Sequence, residues 1–278
     1  MTDFKVSTFF FVMIYTKGNY MSLVYDTHID ALDAMKQYPK ELYYKGDVSL
    51  LKKPKVSIVG TRRPSNYTKE FTYILSKSLA QRGVCIVSGA AMGVDALAHN
   101  GAGKENTIAV MANGLDIRYP VVNKELIKGI EEEGLVLSQF PDGVKAVKWS
   151  FVVRNEIVVA LGDILIVTEA DIDSGTMRSV EYALKMGKKI YVLPQRIDES
   201  LGTNMLLQEN KVKLISDIEA FSSQFGVAVN SIIKKDALFY FCQSSPTLDE
   251  AVARYGDRIF EAELDGILTI HHGIVRLT

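Results

Sequence analysis

The amino-acid sequence predicts a doubly wound α/β fold, in which helices cover both faces of a mostly parallel β-sheet. Short apolar runs recur between residues 55 and about 220, and they are continuous rather than alternating, as in strands buried on both faces. Helix-period segments separate the runs, which is typical of parallel sheets. The predicted strands are VSIV at 56, VCIV at 84, TIAVM at 107, LVL at 135, ILIV at 164, IYVL at 190 and VKLI at 212.

The segments between the strands carry the signals of helices. KEFTYILSKSLAQRG, from residue 69, and VEYALKMGKK, from residue 180, are amphipathic. Gly83 and Gly187 stand where a glycine commonly ends a helix. Because doubly wound sheets bind ligands beyond the carboxyl ends of their strands, we expect a site in the turns that follow the strands.

Two shorter segments flank the predicted sheet. Residues 1–50 form a less regular lead, and FFFVMIY at 9–15 is shorter than the roughly 20 apolar residues that cross a bilayer. We expect a core strand or helix there, and neither a membrane span nor a signal peptide. Within residues 236–278, the stretch TLDEAVARYGDRIFEAELDGILTIHHGIVRL from residue 247 predicts two short helices and then a hairpin, ILTI, HHG and IVRL. This is the outline of a winged helix.

The predicted domains are therefore residues 1–222 and residues 236–278. The second contains seven acids and three arginines. Because acids repel phosphate, we expect it to contact protein or a second copy of the chain, with duplex DNA as the alternative.

Composition limits the classes of function. The chain has 278 residues, 47% apolar and 23% charged, and a formal net charge of -1. A globally basic nucleic-acid coat is excluded, so any site for a polyanion must be local. Two cysteines, Cys85 and Cys242, are too few for a disulfide framework, which fits a reducing cytoplasm.

The turn after the first core strand reads GTRRP, residues 60–64, and concentrates positive charge at a strand end. Pro64 stiffens the turn, and Ser65 or Asn66 is placed to cap the next helix. We predict that Arg62 binds an anion, with Arg63 in support. The alternative is an ordinary solvated run, since Lys52, Lys53, Lys55 and Lys69 belong to the same acid-free stretch.

A second turn, VSGAAMGVDALAH at 87–99, opens another helix. Ser88 and Gly89 end the strand and Gly93 precedes the helix, so a ligand has room to approach the backbone and the helix N-terminus. We interpret Asp95 as a cap or first-turn acid rather than a catalytic carboxylate.

A third turn lies in EADIDSGTM at 169–177. Ser174, Gly175 and Thr176 open a helix, and this arrangement suits an anion. Simple helix capping explains the same residues equally well.

The stretch KAVKWSFVVRNEIVVALG at 145–162 places aromatic residues among cations. Lys148 and Arg154 surround Trp149 and Phe151, a pattern that suits stacking on unpaired bases. Residues two apart cannot share a helix face, so one ring is free to be buried while the other is exposed. We favour Phe151 as the stacking residue.

Catalytic patterns are weak by comparison. The four histidines show no metal-ligand spacing with cysteine or acid, and the phosphate-loop, dinucleotide and nucleophile-elbow motifs are absent from the sequence. We therefore expect no metal, no cofactor and no enzymatic activity. His271 and His272 are expected in an exposed hairpin turn.

Six motifs of the chain, in their order, resemble those of the DprA/Smf DNA-processing family. They are VGTRRPSNY, SGAAMGVDALAH, NGLDIRYPVVNKEL, KWSFVVRNEIVVAL, TEADIDSGTMRSVEYAL and KKIYVLPQ. The resemblance covers about residues 38–215 and the small C-terminal module. It implies an extended Rossmann-like fold and a homodimer that binds single-stranded DNA in natural transformation, protects it and helps to load the RecA recombinase.

By position, the resemblance places the DNA site on the turns already described. The predicted DNA-binding residues are Gly60, Thr61, Arg62, Arg63, Ser88, Gly89, Lys148, Phe151, Arg154, Asn155, Ser174, Gly175 and Thr176. The chain departs from the family at Glu156, where many members have a cation, and residues 1–50 are too few for the family's usual N-terminal helical domain.

A different class of function stays open at this point. Rossmann-like nucleotide phosphoribohydrolases use a PGGxGTxxE segment, and SGTMRSVE with Glu181 resembles it without the double glycine. A nucleotide-binding scaffold without turnover is a third possibility.

Overall fold

The computed structural model describes residues 21–228 and 237–277. These residues fall into two compact units, one within Met1–Ala228 and one within Val229–Thr278. The FFFVMIY run at 9–15 lies outside the described residues. Among the described helices, none is long and apolar enough to cross a bilayer.

The strands follow the apolar runs closely. They are β1 (Leu23–Val24), β2 (Tyr43–Gly46), β3 (Lys55–Val59), β4 (Cys85–Ser88), β5 (Thr107–Met111), β6 (Leu135–Ser138), β7 (Ile164–Val167), β8 (Ile190–Val192), β9 (Lys213–Leu214), β10 (Leu268–His271) and β11 (Ile274–Leu277). Each of the seven predicted core strands is confirmed. The lead adds the short strands β1 and β2, which the sequence left undefined.

The helices alternate with the strands as predicted. They are α1 (Asn66–Ala80), α2 (Val94–Ala102), α3 (Lys124–Glu133), α4 (Lys148–Leu161), α5 (Gly175–Lys185), α6 (Leu201–Gln208), α7 (Ile218–Ser222), α8 (Ala237–Cys242), α9 (Leu248–Tyr255) and α10 (Arg258–Leu264). Gly83 and Gly187 follow α1 and α5 with φ of 78° and 67°, so the predicted helix-ending glycines are confirmed. Ser65 caps α1 by accepting a hydrogen bond from Thr68 N.

Among the described residues, nine strands form one sheet in the order β1-β2-β6-β5-β4-β3-β7-β8-β9. The pairs from β6 to β9 are parallel, whereas β1 and β2 run antiparallel at one edge. The chain moves outwards from β3 through β4 and β5 and then returns to β7 on the other side of β3. This reversal is the position where doubly wound folds bind ligands.

Apolar side chains fill the space on both faces of the sheet. One layer is built around Leu137, Val159 and Leu165, and the other around Ile58, Leu79 and Ile86, all of them buried. Because both faces are covered, the strands carry no polar alternation. Val59 of β3 pairs with Val167 of β7, so the two strands end at the same level.

The smaller unit has a core of its own, which includes Leu238, Ala251, Ile259 and Val275. Its hairpin is the predicted one, with His271 and His272 exposed at the turn. The two predicted helices are confirmed as α9 and α10, and a further helix that was not predicted, α8, precedes them. The sequence ALFYFC lacks polar spacing, so a helix-period pattern is not visible in it.

Candidate functional site

A cleft of about 700 Å³ opens at the carboxyl ends of β3 and β7, where the strand order reverses. It collects eleven of the thirteen predicted DNA-binding residues, from three separate parts of the sequence. They are Gly60, Thr61, Arg62, Arg63, Lys148, Phe151, Arg154, Asn155, Ser174, Gly175 and Thr176. The remaining lining residues are Val59, Ala91, Asp95, Val152, Glu169, Asp171 and Ser179.

The turn after β3 is held by its own backbone. Thr61 N donates to Glu169 O at 2.9 Å, and Thr61 O accepts from Val94 N at 3.2 Å. A Cβ on Gly60 would lie 2.6 Å from Val94 Cγ2, so the glycine is needed for the close approach of α2 rather than for a ligand. The backbone is therefore occupied, and the turn presents side chains.

Those side chains are cationic and exposed. Arg62 and Arg63 both reach the cleft, and the guanidinium carbon of Arg62 lies 5.3 Å from the centre of the Phe151 ring. This is a cation–π distance. It joins the first predicted motif to the fourth, which are separated by almost ninety residues.

One face of α4 forms the opposite wall of the cleft. Lys148, Phe151, Val152 and Asn155 are spaced three, four and seven residues apart and all line the cleft. Lys148 is exposed in the first helical turn. Phe151, the residue predicted to stack on a base, therefore shares this wall with Lys148.

Trp149 points away from that face. It is 59% exposed, and its ring meets Phe140 edge-on with a centre-to-centre distance of 5.6 Å. Phe151 is also partly exposed, so neither of the two rings is buried. Phe140 takes the buried position instead, at 7% exposure.

Arg154 differs from the other cations because it is only 4% exposed. Its Nη1 donates to Gly89 O, and to Val110 O at 2.9 Å. The role of a freely available phosphate ligand predicted for Arg154 needs correction. Its guanidinium is bound to carbonyl groups because it fills the space beneath the cleft between β4 and β5.

Ser88 and Gly89 belong to the same buried layer. Ser88 is fully buried and its Oγ donates to Ile58 O at 2.6 Å, so it does not reach the cleft. A Cβ on Gly89 would lie 1.6 Å from Arg154 Nη1, so only glycine leaves room for the guanidinium. Both residues shape the site from below rather than contact a ligand in the large cleft.

Electrostatics in this layer are unusual. Asp95 lies in the first turn of α2, as predicted, and burial raises its pKa although the charge of Arg154 opposes that shift. Burial, together with Arg154, lowers the pKa of His99 to about 3, so the imidazole is neutral at pH 7. Its Nδ1 donates to Thr107 Oγ1, because that hydroxyl itself donates to Ile86 O.

The third wall is the N-terminus of α5. Ser174 occupies the cap position, yet its hydroxyl makes no capping hydrogen bond, so simple capping does not explain the residue. Within the described residues, Ser174 Oγ and Ser179 Oγ are buried and have no hydrogen-bond partner. Gly175 and Thr176 complete this wall, which offers donors but no cation.

Ser179 was not predicted from the sequence. It is 1% exposed and lines the cleft one helical turn after Thr176. The spacing of three residues from Thr176 was the available signal, since both fall on the same helix face.

Two acids besides Asp95 border the cleft. Glu169 accepts from Ser65 N and Ser65 Oγ, both at 3.0 Å, so its carboxylate holds the start of α1. Asp171 is exposed. The exposed cations therefore lie on the β3 and α4 walls, whereas Glu169 and Asp171 lie on the β7 wall and Asp95 is buried beneath them all in α2.

The acid-free run around β3 does not form one patch. Three lysines of the run lie at the start of β3, at the opposite end of the strand from the cleft. They are Lys52, Lys53 and Lys55. Lys55 Nζ donates to Leu51 O and to Lys53 O, both at 2.9 Å. Only Arg62 and Arg63 of the run reach the cleft. The alternative of an ordinary solvated run therefore suits the lysines better than these two arginines.

A smaller pocket of about 30 Å³ adjoins the cleft beside Phe151 and Arg62. Tyr119 and Met92, each 46% exposed, form its apolar side. The Tyr119 ring centre lies 6.2 Å from that of Phe151. This contact could not be predicted from the sequence, because Tyr119 stands in a loop that approaches α4 only in the folded chain.

A histidine and two acids meet elsewhere on the surface. His28 Nε2 lies 3.0 Å from Asp33 Oδ2 and 3.7 Å from Asp30 Oδ1. The expectation that no histidine has an acid at ligand spacing is wrong here. All three residues are exposed, and a surface hydrogen bond between His28 and Asp33 accounts for the arrangement.

Comparison with known proteins agrees with the architecture. The family model described as DNA recombination-mediator protein A matches residues 13–226. DNA processing protein DprA of Streptococcus pneumoniae is 35% identical, with 73% of this chain and 73% of that protein covered. Protein Smf of Synechocystis is also 35% identical, but the match spans 66% of this chain and only 48% of that protein.

Solved structures give the same result. The structure of DNA processing protein A from Helicobacter pylori, which was described for its single-stranded DNA binding mode, is 41% identical with a TM-score of 0.72. The match covers 73% of this chain and 94% of the Helicobacter pylori chain. The structure of the Streptococcus pneumoniae protein has a TM-score of 0.67, with 73% and 72% covered. The predicted mostly parallel α/β fold is confirmed.

Proposed function

Because the chain belongs to the DNA recombination-mediator protein A family, we propose that it binds single-stranded DNA in the cleft and acts as a recombination mediator in natural transformation. One observation supports this most strongly. Exposed cations, a partly exposed aromatic ring and a helix N-terminus, drawn from distant motifs, line one cleft.

The chemistry of the two sides suits different parts of a strand. Arg62, Arg63 and Lys148 attract phosphates, and the open N-terminus of α5 offers donors to another phosphate. An unpaired base stacks on Phe151, whose ring already interacts with Arg62. Sequence preference is slight because every base has a stacking face.

The turn after β3 favours a polymer over a single nucleotide. A dinucleotide loop uses glycines so that backbone N–H groups wrap one pyrophosphate. Here Thr61 N is bonded to Glu169 O, Arg63 N to Thr61 Oγ1 at 3.2 Å, and the space beside Gly60 is filled by Val94. Anions are therefore bound by side chains, which reach successive phosphates along a strand.

The wider role extends from this site. The protein protects incoming DNA in the cytoplasm, helps to load the RecA recombinase and works as a homodimer. The acidic unit at 237–277 contacts protein or a second copy of the chain, and duplex DNA is the alternative. No cofactor and no turnover are part of the proposal.

A phosphoribohydrolase is less well supported by the position of Glu181. Glu181 does not belong to the cleft lining, and its carboxylate pairs with Arg178 at 2.9 Å on the exposed side of α5. The resemblance of SGTMRSVE to a catalytic segment therefore lacks a matching geometry. Incubation with nucleoside monophosphates checks this point, and release of free base would support the phosphoribohydrolase instead.

Binding is tested by fluorescence anisotropy with labelled oligo-dT and a matching duplex over a salt series. We expect tighter binding of the single strand and an affinity that falls with salt through counterion release. Equal binding of the duplex, or competition by a mononucleotide at micromolar levels, would contradict the proposal.

A further inference from the structure

Trp149 is the single tryptophan of the chain and lies 59% exposed at the start of α4. We propose that it is a second stacking platform, which receives a base of the strand after the strand leaves the cleft. This inference rests on the proposed binding of single-stranded DNA, and it adds the path and one more binding residue.

The surface between the two rings is continuous. Phe151 and Val152 line the cleft, and Val152 lies three residues after Trp149, so these two side chains are neighbours on α4. Val152 is 39% exposed. An apolar path therefore runs from Phe151 over Val152 to Trp149, and it leads out of the cleft.

Trp149 is held in place before any ligand arrives. Its ring meets the buried ring of Phe140 at an angle of 70°, and Phe140 N donates to Ser138 Oγ at 3.0 Å at the end of β6. A side chain fixed in this way loses little freedom when a base stacks on it. More than half of its surface stays accessible to the base.

Charge identifies the occupant as nucleic acid. Lys145 and Lys148, four residues and one residue before Trp149, are both exposed, and no acid occurs between Gly143 and Asn155. An apolar protein partner would leave both ammonium groups without a counter-charge, whereas a strand supplies phosphates next to each base. Glu156, whose carboxylate accepts from Lys36 N at 2.8 Å, limits this surface in the other direction.

Because Trp149 is the single tryptophan, the protein's own tryptophan fluorescence reports on stacking at this position. Titrate the full-length protein with oligo-dT of about 4 to 16 nucleotides, the span of known single-strand sites, and follow protein fluorescence and DNA anisotropy together. We expect the shortest oligomers to bind without quenching and the longer ones to quench Trp149. Oligomers with abasic sites in place of the outer bases should bind without quenching.

Saturated anisotropy with unchanged fluorescence at every length overturns the platform and leaves the proposed function intact. Absence of anisotropy at every length overturns both. A third outcome is a fluorescence that changes on dilution without DNA and does not respond to added DNA. It would show that Trp149 lies between copies of the chain, which also overturns the platform.

Variants give an independent measurement. Trp149→Ala should lower affinity for the longest oligomer about fivefold, the low end for loss of a stacking side chain, and leave the shortest unchanged. Trp149→Phe should restore most of the affinity. As a control, Tyr67→Ala removes another partly exposed aromatic side chain outside the cleft. It should change the affinity for neither the longest nor the shortest oligomer. Equal loss for long and short oligomers in Trp149→Ala would overturn the platform.

Discussion

The rim and the floor of the cleft use arginine in opposite ways. The rim, Arg62, Arg63 and Lys148, is exposed and presents its charges to solvent. The floor consists of Gly89, Asp95 and Arg154. Arg154 is 4% exposed, and its guanidinium donates to carbonyl oxygens.

A cation in a family motif can therefore serve either the ligand or the fold, and burial decides which. An exposed arginine keeps its affinity for phosphate, whereas a buried one without its partners would be costly, so its neighbours fix it. Rim variants should change binding without changing stability, and floor variants should do the reverse.

Arg154→Ala gives the largest expected effect. It leaves Asp95 and two carbonyl groups without the guanidinium, and breaking a buried charged network costs about 3–5 kcal/mol. Urea denaturation should show that loss in the free energy of unfolding, while Arg62→Ala stays within about 0.5 kcal/mol of wild type. Normal stability of Arg154→Ala with lost DNA affinity would place Arg154 on the rim.

Gly89→Ala should be the next most damaging change. The new Cβ would lie 1.6 Å from Arg154 Nη1, and overpacking of this kind costs about 1–3 kcal/mol. The matched control is Gly175→Ala in the same cleft, where no atom lies within 4 Å of the new Cβ. If thermal melting shows equal shifts for the two variants, the floor is less tightly packed than the distances indicate.

The buried His99 beneath the floor predicts acid sensitivity. Its folded pKa of about 3 lies below the unfolded value of 6.5, so the unfolded state binds the proton first. Stability from His99 is complete above pH 6.5 and is lost as the pH falls from 6.5 towards 3, by about 1.4 kcal/mol per pH unit.

His99→Gln isolates that contribution, because Asp95, whose shift acts in the opposite sense, is present in both proteins. Denaturation between pH 6.5 and 4.5 should show a shallower loss of stability in the variant. Parallel curves for the two proteins would mean that His99 is already protonated in the fold.

On the rim, Arg62→Ala should weaken oligo-dT binding and reduce the salt slope by about one, because one phosphate contact is lost. It also removes the cation from Phe151. Arg196→Ala is the control, since Arg196 is an exposed arginine outside the cleft and should leave the anisotropy titration unchanged. Equal effects of both variants would show a general charge effect rather than a rim.

The division between rim and floor could not be predicted from the sequence. The continuous apolar runs identified every core strand, and the turns after them gave the position of the cleft. The sequence does not distinguish the exposed Arg62 from the buried Arg154, however, because burial depends on strand order and on the glycine at position 89. Ser179 and Tyr119 were missed for a related reason, since their neighbours in the cleft come from other segments.

Ser179→Ala should have the smallest effect and tests the wall that has no cation. Its hydroxyl is buried without a protein partner among the described residues, so its removal should not lower the free energy of unfolding. If a phosphate binds at α5, the lost hydrogen bond is worth about 0.5–1.5 kcal/mol, or roughly a two- to tenfold loss of oligo-dT affinity. Because a hydroxyl carries no charge, the salt slope should stay at the wild-type value, unlike in Arg62→Ala. A lower stability with unchanged affinity would assign Ser179 to the floor and leave the rim as the whole of the phosphate site.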